Sequence, residues 1–430
     1  TADDIYKVGY FLPKLLKAEK VLVGRDARLS SDEIHDALCK GINDFGAEVY
    51  DVGLSTTPMI YWGTAKYHFP ASVQITASHN PAKYNGLKIS KAEALPMGYE
   101  SGLRELEELV HTGSIHPVVC KGVVEPYDIK YEYNKFLKSW MDFSDITMGI
   151  DCSNGMASIL ARELFGDTPE YLYDSLDGSF PNHEPNPLIE ENTADLMKLV
   201  REKHLDIGII FDGDADRVMF VDENGVFISP DLMIGVLGHY FLEQEKGPVL
   251  HDIRTSRGVA EYIKRLGGTP HMWKVGHAYA KVKLRELRAI YGGELAGHYY
   301  FRDFYNCDSG MLAAILVLNV VSRMKKEGKK VSELLSSVNP YAYSGEINFR
   351  IEEKQKAMEE LKTVFTTREK ATALFDFDGY RIEFSDWWFN VRPSNTEPYL
   401  RLVVEARDST LLQTKVEEIR KILRSFNESR

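Results

Sequence analysis

The sequence predicts an α/β protein in which three similar α/β domains with mixed sheets are followed by a C-terminal α+β domain. Two observations predict this. Short apolar segments alternate with amphipathic ones along most of the 430 residues, which is the pattern of strands that alternate with helices. A strand, a polar loop and a helix also begin three times, at residues 21, 148 and 249, which suggests a repeated unit.

The first unit begins with the apolar strand 21–23 and the loop 24–28. Ser30 precedes Glu33 by three residues, which is the spacing of a capping box, so we predict that a helix begins there. Apolar residues continue at helical spacing as far as Phe45, and Gly46 is predicted to end this helix. These features make 21–46 a strand–loop–helix unit.

The second unit has a strand at 148–150, a loop at 151–155 and a helix that ends at Gly166. The third has a strand at 249–250, a loop at 252–258 and a following helix. The longest apolar stretch, 311–321, is too short to span a bilayer and predicts a buried helix. We therefore expect no membrane partner.

The C-terminal part follows a different order. A strand at 348–351 precedes a charged helix at 352–365, two strands near 380–384 and 399–405, and a final helix at 411–426. This β-α-β-β-α order predicts a small α+β domain. With the repeated units, it gives predicted domains at 1–130, 131–230, 231–342 and 343–430.

The composition excludes several classes of function. There are 52 basic and 64 acidic residues, a formal net charge of −12, and such a chain repels the nucleic-acid backbone. The four cysteines lie far apart without a CxxC pair, so neither a zinc site nor a disulfide framework is predicted. We expect a reducing, cytoplasmic location and small-molecule partners; the sequence leaves the oligomeric state undetermined.

The first loop with chemical potential is TASHNP, residues 76–81, directly after an apolar strand at 73–75. Such a turn exposes the hydroxyl of Ser78, which can act as a nucleophile or carry a phosphate. His79 and Lys88 lie within ten residues of it. The alternative is an ordinary polar turn, because Ser, Asn and Pro are common turn residues.

The second loop, 212–217, has the sequence DGDADR. Asp212, Asp214 and Asp216 stand at alternate positions, and three carboxylates that curl together can hold one hard cation. An EF-hand is excluded because Arg217 occupies loop position six, which needs glycine. The flanks 207–211 and 218–221 also have the pattern of strands. A cation site is favoured over a solvated acidic turn.

The third loop, GELAGH at 293–298, precedes an aromatic run. Glu294 can accept hydrogen bonds from sugar hydroxyls, and His298 can transfer a proton near neutral pH. The alternative is a tight turn with a hydrogen-bonded histidine.

The fourth loop, RPSNTEP at 392–398, concentrates hydrogen-bond donors. Arg392 can bind phosphate in bidentate fashion, and the neutral donors beside it add to an anion site. The alternative is a capped turn before a strand.

Together and in this order, the four loops resemble those of the α-D-phosphohexomutase superfamily, and the resemblance covers nearly the whole chain. RPSNTEP and the HYYF run at 298–301 resemble the phosphomannomutase/phosphoglucomutase branch, whereas the phosphoglucosamine branch usually has glycine at the position of Asn395. The resemblance implies four domains around a central cleft. It also implies transfer of a phosphoryl group between O1 and O6 of mannose or glucose phosphate, through phosphorylated Ser78 and a hexose 1,6-bisphosphate that serves as activator.

The resemblance also implies roles for individual residues. Mg²⁺ would be bound by Asp212, Asp214, Asp216 and a phosphate oxygen on Ser78. Lys88 and His298 match positions that handle the proton of the sugar hydroxyl, and Arg217 would add positive charge. The implied substrate-binding residues are His79, Arg254, Lys274, Gly276, His277, Glu294, Ala296, Arg392, Ser394, Asn395, Thr396 and Arg401.

The chain departs from the family pattern at a few positions. Ala296 stands where relatives usually have serine, which removes one hydroxyl contact to the sugar, and Arg254 stands where many have lysine. The family's arginine-containing motif of the YDIRG kind would precede Thr1, so either the given chain is truncated or one active-site arginine is missing. Three alternative functions stay open: a mutase for another sugar such as glucosamine phosphate, a phosphatase, and a weakly catalytic relative with a binding role.

Overall fold

The computed structural model describes residues 1–394 and 399–426, which form four successive units with one β-sheet each. The elements of the first unit are α1 (Ala2–Leu16), β1 (Lys20–Arg25), α2 (Ser31–Phe45), β2 (Glu48–Leu54), α3 (Thr57–Lys66), β3 (Ala71–Ile75), β4 (Leu87–Lys91), β5 (Leu95–Pro96), α4 (Leu103–Thr112) and β6 (Val124–Pro126). Its strand order is β5-β4-β3-β1-β2-β6.

The start of α2 differs from the prediction. The Ser30 side chain makes no capping hydrogen bond to the helix, so the predicted capping box with Glu33 is wrong. The Ser30 hydroxyl instead accepts a hydrogen bond from Asn85 Nδ2 at 3.0 Å, which ties the helix to the loop after β3. The predicted end is confirmed, because Gly46 has φ 105° and its N–H donates to the carbonyls of the last turn.

The second and third units follow in the chain. The second contains α5 (Lys130–Lys138), β7 (Met148–Asp151), α6 (Ala161–Phe165), β8 (Glu170–Leu172), α7 (Ala194–Lys203), β9 (Ile207–Phe211), β10 (Val218–Val221) and β11 (Phe227–Ile228). The third contains α8 (Leu232–Phe241), β12 (Pro248–Asp252), α9 (Arg257–Arg265), β13 (Thr269–Trp273), α10 (His277–Leu287), β14 (Tyr291–Gly293), β15 (Tyr299–Phe301), β16 (Cys307–Asp308), α11 (Gly310–Lys326) and α12 (Val331–Val338).

The first three sheets share one plan. Their central strands β1, β7 and β12 each pair in parallel with two neighbours. One of these neighbours, β3, β9 or β14, then pairs antiparallel with the next strand of the chain. The TASHNP, DGDADR and GELAGH loops all follow that neighbour, so they occupy the same place in three sheets of equal topology. The predicted repeat is therefore confirmed.

The fourth unit is a five-stranded antiparallel sheet with two helices. Its elements are β17 (Ala342–Arg350), α13 (Lys354–Arg368), β18 (Ala373–Phe375), β19 (Tyr380–Glu383), β20 (Trp387–Pro393), β21 (Tyr399–Ala406) and α14 (Ser409–Arg424). The predicted β-α-β-β-α order lacked β18 and β20. β18 has only three residues. β20 is buried along most of its length as a continuous run and so lacks the alternation that identifies a half-exposed strand.

The predicted buried helix at 311–321 is confirmed as part of α11, in which every residue from Gly310 to Ser322 is buried. Its apolar side chains belong to a core shared by the second and third units and by α3 of the first. The first three units therefore pack into one another, and this packing fixes the relative positions of their loops. Among the described helices, none combines the length and the apolar character that crossing a membrane requires.

Candidate active site

The loop between β3 and β4 presents Ser78 to the second unit. The Ser78 hydroxyl donates to Asp212 Oδ2 at 2.7 Å, and the Ser78 N–H donates to Thr76 Oγ1 at 2.9 Å. Ser78 has φ 52°, in the left-handed region that residues with a Cβ rarely adopt. The loop thus holds an unfavourable conformation that aims this hydroxyl at the aspartates.

Arg28 holds this loop in place, a role that the sequence analysis missed. Its side chain is fully buried and its Nε donates to Asp26 Oδ2 at 3.0 Å. Its two terminal nitrogens donate at 2.7–2.9 Å to four backbone carbonyls of the loop: Ser78, Asn80, Pro81 and Tyr84. All five N–H groups of the guanidinium are therefore used inside the protein, and Arg28 acts as a positioning residue.

Gly213 allows the aspartate loop to approach the serine loop closely. A Cβ at this position would lie 2.4 Å from the Ser78 carbonyl oxygen, which is much shorter than any normal contact. The two loops therefore touch through backbone atoms, and only glycine fits between them.

Asp212, Asp214 and Asp216 converge as predicted, in a loop between strands and without EF-hand helices. Their side chains offer oxygens that all lie within 4.8 Å of one another, and the three residues are fully buried. Lys88 Nζ contacts Asp214 Oδ2 at 2.7 Å and Asp216 Oδ2 at 2.5 Å, and the Thr57 hydroxyl donates to Asp214 Oδ2.

The charge balance of this cluster suits a divalent cation. Burial, then the charges of Asp214 and Asp216, raise the pKa of Asp212 well above its ordinary value. Burial opposes the charged form of Lys88, but the two nearby aspartates outweigh it and raise the pKa of Lys88. Asp214 Oδ1 and Asp216 Oδ1 have no hydrogen-bond partner among the described residues. Hard carboxylate oxygens that lack partners in a buried site fit a metal such as Mg²⁺.

His298 joins the aspartate cluster to a second buried charge pair. Its Nδ1 lies 2.6 Å from Asp308 Oδ2, and its Nε2 accepts a hydrogen bond from Arg217 Nε at 2.9 Å. Lys281 Nζ lies 2.7 Å from Asp308 Oδ1, and both side chains are fully buried. The contact with Asp308 fixes the ring of His298 and leaves its Nε2 as the acceptor. Neither Asp308 nor Lys281 gave a signal in the sequence.

Glu294 is held by the third unit itself. Its Oε1 accepts from the Gly276 N–H at 2.6 Å, and its Oε2 accepts from the Tyr300 hydroxyl at 2.5 Å. His79 faces the same space; the positive charge of Arg217, together with burial, lowers the pKa of His79 to about 2. His79 is therefore a neutral imidazole at physiological pH.

The fourth unit contributes buried arginines. Arg392 is 4% exposed, and its Nη1 lies 4.0 Å from Asp378 Oδ1. Burial, then the positive charge of Arg254, lower the pKa of Arg392, and both arginines line one cavity. Arg254 itself is buried against Asp252, with Nη2 2.7 Å from Oδ2.

A cavity of about 1230 Å³ lies between the four units. Ten of the predicted site residues line it: His79, Arg217, Arg254, Gly276, His277, Glu294, Ala296, His298, Arg392 and Arg401. Ser78, Lys88 and the three aspartates are absent from its lining, but Ser78 and Asp216 directly precede the lining residues His79 and Arg217 in the chain. Two other predicted site residues that the structure describes, Lys274 and Ser394, do not line the cavity. Asn395 and Thr396 lie outside the described residues.

Comparisons with known proteins agree with this geometry. Models of the phosphoglucomutase/phosphomannomutase family match the alpha/beta/alpha domains I, II and III at residues 1–114, 131–225 and 229–341, and the C-terminal domain at 346–422. The chain belongs to this family. Within the family, it is 37% identical to a phosphomannomutase of Salmonella montevideo, over 98% of this chain and 95% of that protein.

Solved structures of this family and superfamily share the fold. A phosphoglucomutase/phosphomannomutase family protein from Burkholderia thailandensis superposes with a TM-score of 0.87 at 28% identity, covering 100% of this chain and 94% of that one. An Aspergillus fumigatus N-acetylphosphoglucosamine mutase, solved with GlcNAc-6P and magnesium, superposes with a TM-score of 0.60 at 15% identity, covering 94% and 77%.

Proposed function

We propose that this chain is a phosphohexomutase that moves a phosphoryl group between O1 and O6 of mannose phosphate, and of glucose phosphate. The group would pass through a phosphoserine at Ser78 and a hexose 1,6-bisphosphate. One observation carries the proposal: the Ser78 hydroxyl lies 2.7 Å from Asp212, in a buried acidic cluster whose chain neighbours His79 and Arg217 line a cavity shared by all four units. The phosphomannomutase relative of S. montevideo supports the choice of mannose phosphate.

Asp212, Asp214 and Asp216 would hold Mg²⁺, together with a phosphate oxygen on Ser78. When bound, the ion would neutralise the charge on the transferred phosphoryl group. The close carboxylate oxygens of this cluster support this assignment, and the magnesium in the A. fumigatus mutase structure agrees with it.

In the first half-reaction, the bond from Ser78 Oγ to phosphorus breaks and a bond from phosphorus to the sugar oxygen forms. The proton of the sugar hydroxyl goes to His298 Nε2. Arg217 donates a hydrogen bond to this nitrogen, so its guanidinium would first turn to the phosphoryl group and leave Nε2 free to accept the proton. Lys88 stays protonated beside the aspartates because their charges raise its pKa, so it contributes charge rather than base catalysis. In the second half-reaction, the Ser78 oxygen attacks the other phosphorus of the bisphosphate, the bond from that phosphorus to the sugar oxygen breaks, and this oxygen takes back the proton from His298.

The phosphate that does not react would be bound by the fourth unit. Arg392 and Arg401 line the cavity there, and Ser394, Asn395 and Thr396 would add neutral donors. Between the half-reactions the bisphosphate must turn so that its other end faces Ser78. The cavity of about 1230 Å³ exceeds the roughly 300–1,000 Å³ of most small-molecule sites, which leaves room for this rotation.

The test is an assay with Mg²⁺ and a trace of glucose 1,6-bisphosphate. Mannose 1-phosphate, glucose 1-phosphate and glucosamine 1-phosphate are offered separately, and Ser78→Ala is the control protein. Formation of mannose and glucose 6-phosphates by the wild type alone supports the proposal. Conversion of glucosamine 1-phosphate alone would replace mannose and glucose phosphate as the proposed substrates. Release of inorganic phosphate without isomerisation would identify a phosphatase.

A further inference from the structure

An acidic side chain lines the cavity together with Arg254, Arg392 and Arg401. Glu346, on β17, accepts a hydrogen bond from Arg254 Nη1 at 3.3 Å through its Oε2. Its Oε1 lies 3.2 Å from Arg401 Nη1. The carboxylate therefore bridges an arginine of the third unit and an arginine of the fourth.

Arg254 does not need Glu346 to balance its charge. Asp252 accepts hydrogen bonds from the Nε of Arg254 at 3.3 Å and from its Nη2 at 2.7 Å, and the Asp252 side chain is only 1% exposed. Glu346 is 23% exposed and lines the cavity. It thus contacts the one terminal nitrogen, Nη1, that Asp252 leaves unused.

We infer that Glu346 occupies the position that a phosphate oxygen of the substrate takes, and that it competes with this phosphate for Arg254 and Arg401. Carboxylate and phosphate oxygens use the same charge-assisted hydrogen bonds to guanidinium groups. An anion that enters between the two arginines must therefore displace the Glu346 carboxylate.

The inference rests on the proposed function for its catalytic meaning. A bisphosphate that turns between two half-reactions must release the phosphate that anchors it. A carboxylate that replaces the departing phosphate gives the Nη1 atoms of Arg254 and Arg401 a new partner as the phosphate leaves, and so speeds release. Glu346 would then weaken phosphate binding in exchange for faster turnover.

The first experiment measures binding of inorganic phosphate by calorimetry, which requires no catalysis. Glu346→Gln keeps the size of the side chain and removes its charge, so phosphate should bind about five- to tenfold more tightly, as expected for loss of one competing ion pair. The matched control is Glu383→Gln. Glu383 also bridges the third and fourth units, to Arg257 at 3.9 Å and Arg381 at 2.8 Å, but does not line the cavity.

The second experiment measures turnover of mannose 1-phosphate. Glu346→Gln should lower both KM and kcat, whereas Glu383→Gln should change neither. A purely structural role would give weaker phosphate binding and a lower melting temperature, and that result, or unchanged affinity, would overturn the inference. Tighter phosphate binding in a protein without mutase activity would instead reject the proposed function and leave the competition in place.

Discussion

Replacing Gly213 with alanine should abolish most turnover without unfolding the protein. The added Cβ would lie 2.4 Å from the Ser78 carbonyl oxygen, about 1 Å short of ordinary contact, which begins at 3.4 Å. Gly213 is not among the residues with positive φ, so alanine is not strained in its own conformation. The two loops must therefore move apart by about 1 Å.

This movement has a calculable effect on the site. The Ser78 Oγ–Asp212 Oδ2 distance of 2.7 Å would widen to about 3.7 Å, which is too long for a hydrogen bond. A misplacement of about 1 Å costs roughly 100-fold in rate. The crowding itself should lower the free energy of unfolding by about 1–3 kcal/mol. This is less than the roughly 5–15 kcal/mol by which native proteins are stable, so the variant should still fold.

The assay compares kcat for mannose 1-phosphate with the free energy of unfolding in urea. Gly98→Ala is the matched control, since Gly98 has φ −87° and its added Cβ would meet Ser101 Oγ at 3.5 Å. The control should retain full turnover. If Gly213→Ala kept kcat within threefold of the wild type, the close approach of the two loops would not position the nucleophile.

Three further predictions follow from the same geometry. Ser78→Ala should remove turnover yet change the free energy of unfolding by only about 1 kcal/mol, measured by circular dichroism, because a single hydrogen bond is lost. Arg28→Lys should lose about three carbonyl hydrogen bonds and about 3 kcal/mol of unfolding free energy. In the control Arg25→Lys, the arginine pairs with the exposed Asp32, so the loss of unfolding free energy should be less than about 1 kcal/mol. Equal melting temperatures of the two variants would contradict this. Mg²⁺ should raise the melting temperature more at pH 8 than at pH 5, because the raised pKa of Asp212 makes a proton compete with the metal; equal shifts would argue against a metal at this cluster.

The sign of the pH effect follows from linkage. A carboxyl whose pKa is higher in the folded protein than in the unfolded chain binds its proton more tightly when folded. Without metal, the contribution of Asp212 to stability is therefore present at low pH and lost as the pH rises from about 3.8 towards the raised value. Chelation with EDTA should expose this loss in thermal scans.

The sequence could predict the chemistry that is contained within single loops. Asp212, Asp214 and Asp216 are neighbours in the chain, so their convergence needs only one curled loop between two strands. The strands that flank this loop were visible as apolar runs, and Gly46 marked a helix end through its own backbone preference. Each of these features depends on residues close in sequence, which is why pattern and residue type were sufficient.

The tertiary structure decided which distant residues meet these loops. Arg28 fixes Ser78 through backbone carbonyls, which carry no sequence signal. Asp308 reaches His298, and Lys281 reaches Asp308 because α10 packs against β16. Glu346 bridges two arginines because β17 faces the third unit across the cavity. Such contacts arise from the packing of whole units, and no local pattern encodes them. The sequence by itself thus determined the reactive groups, and the folded structure determined their positions and the charged residues that surround them.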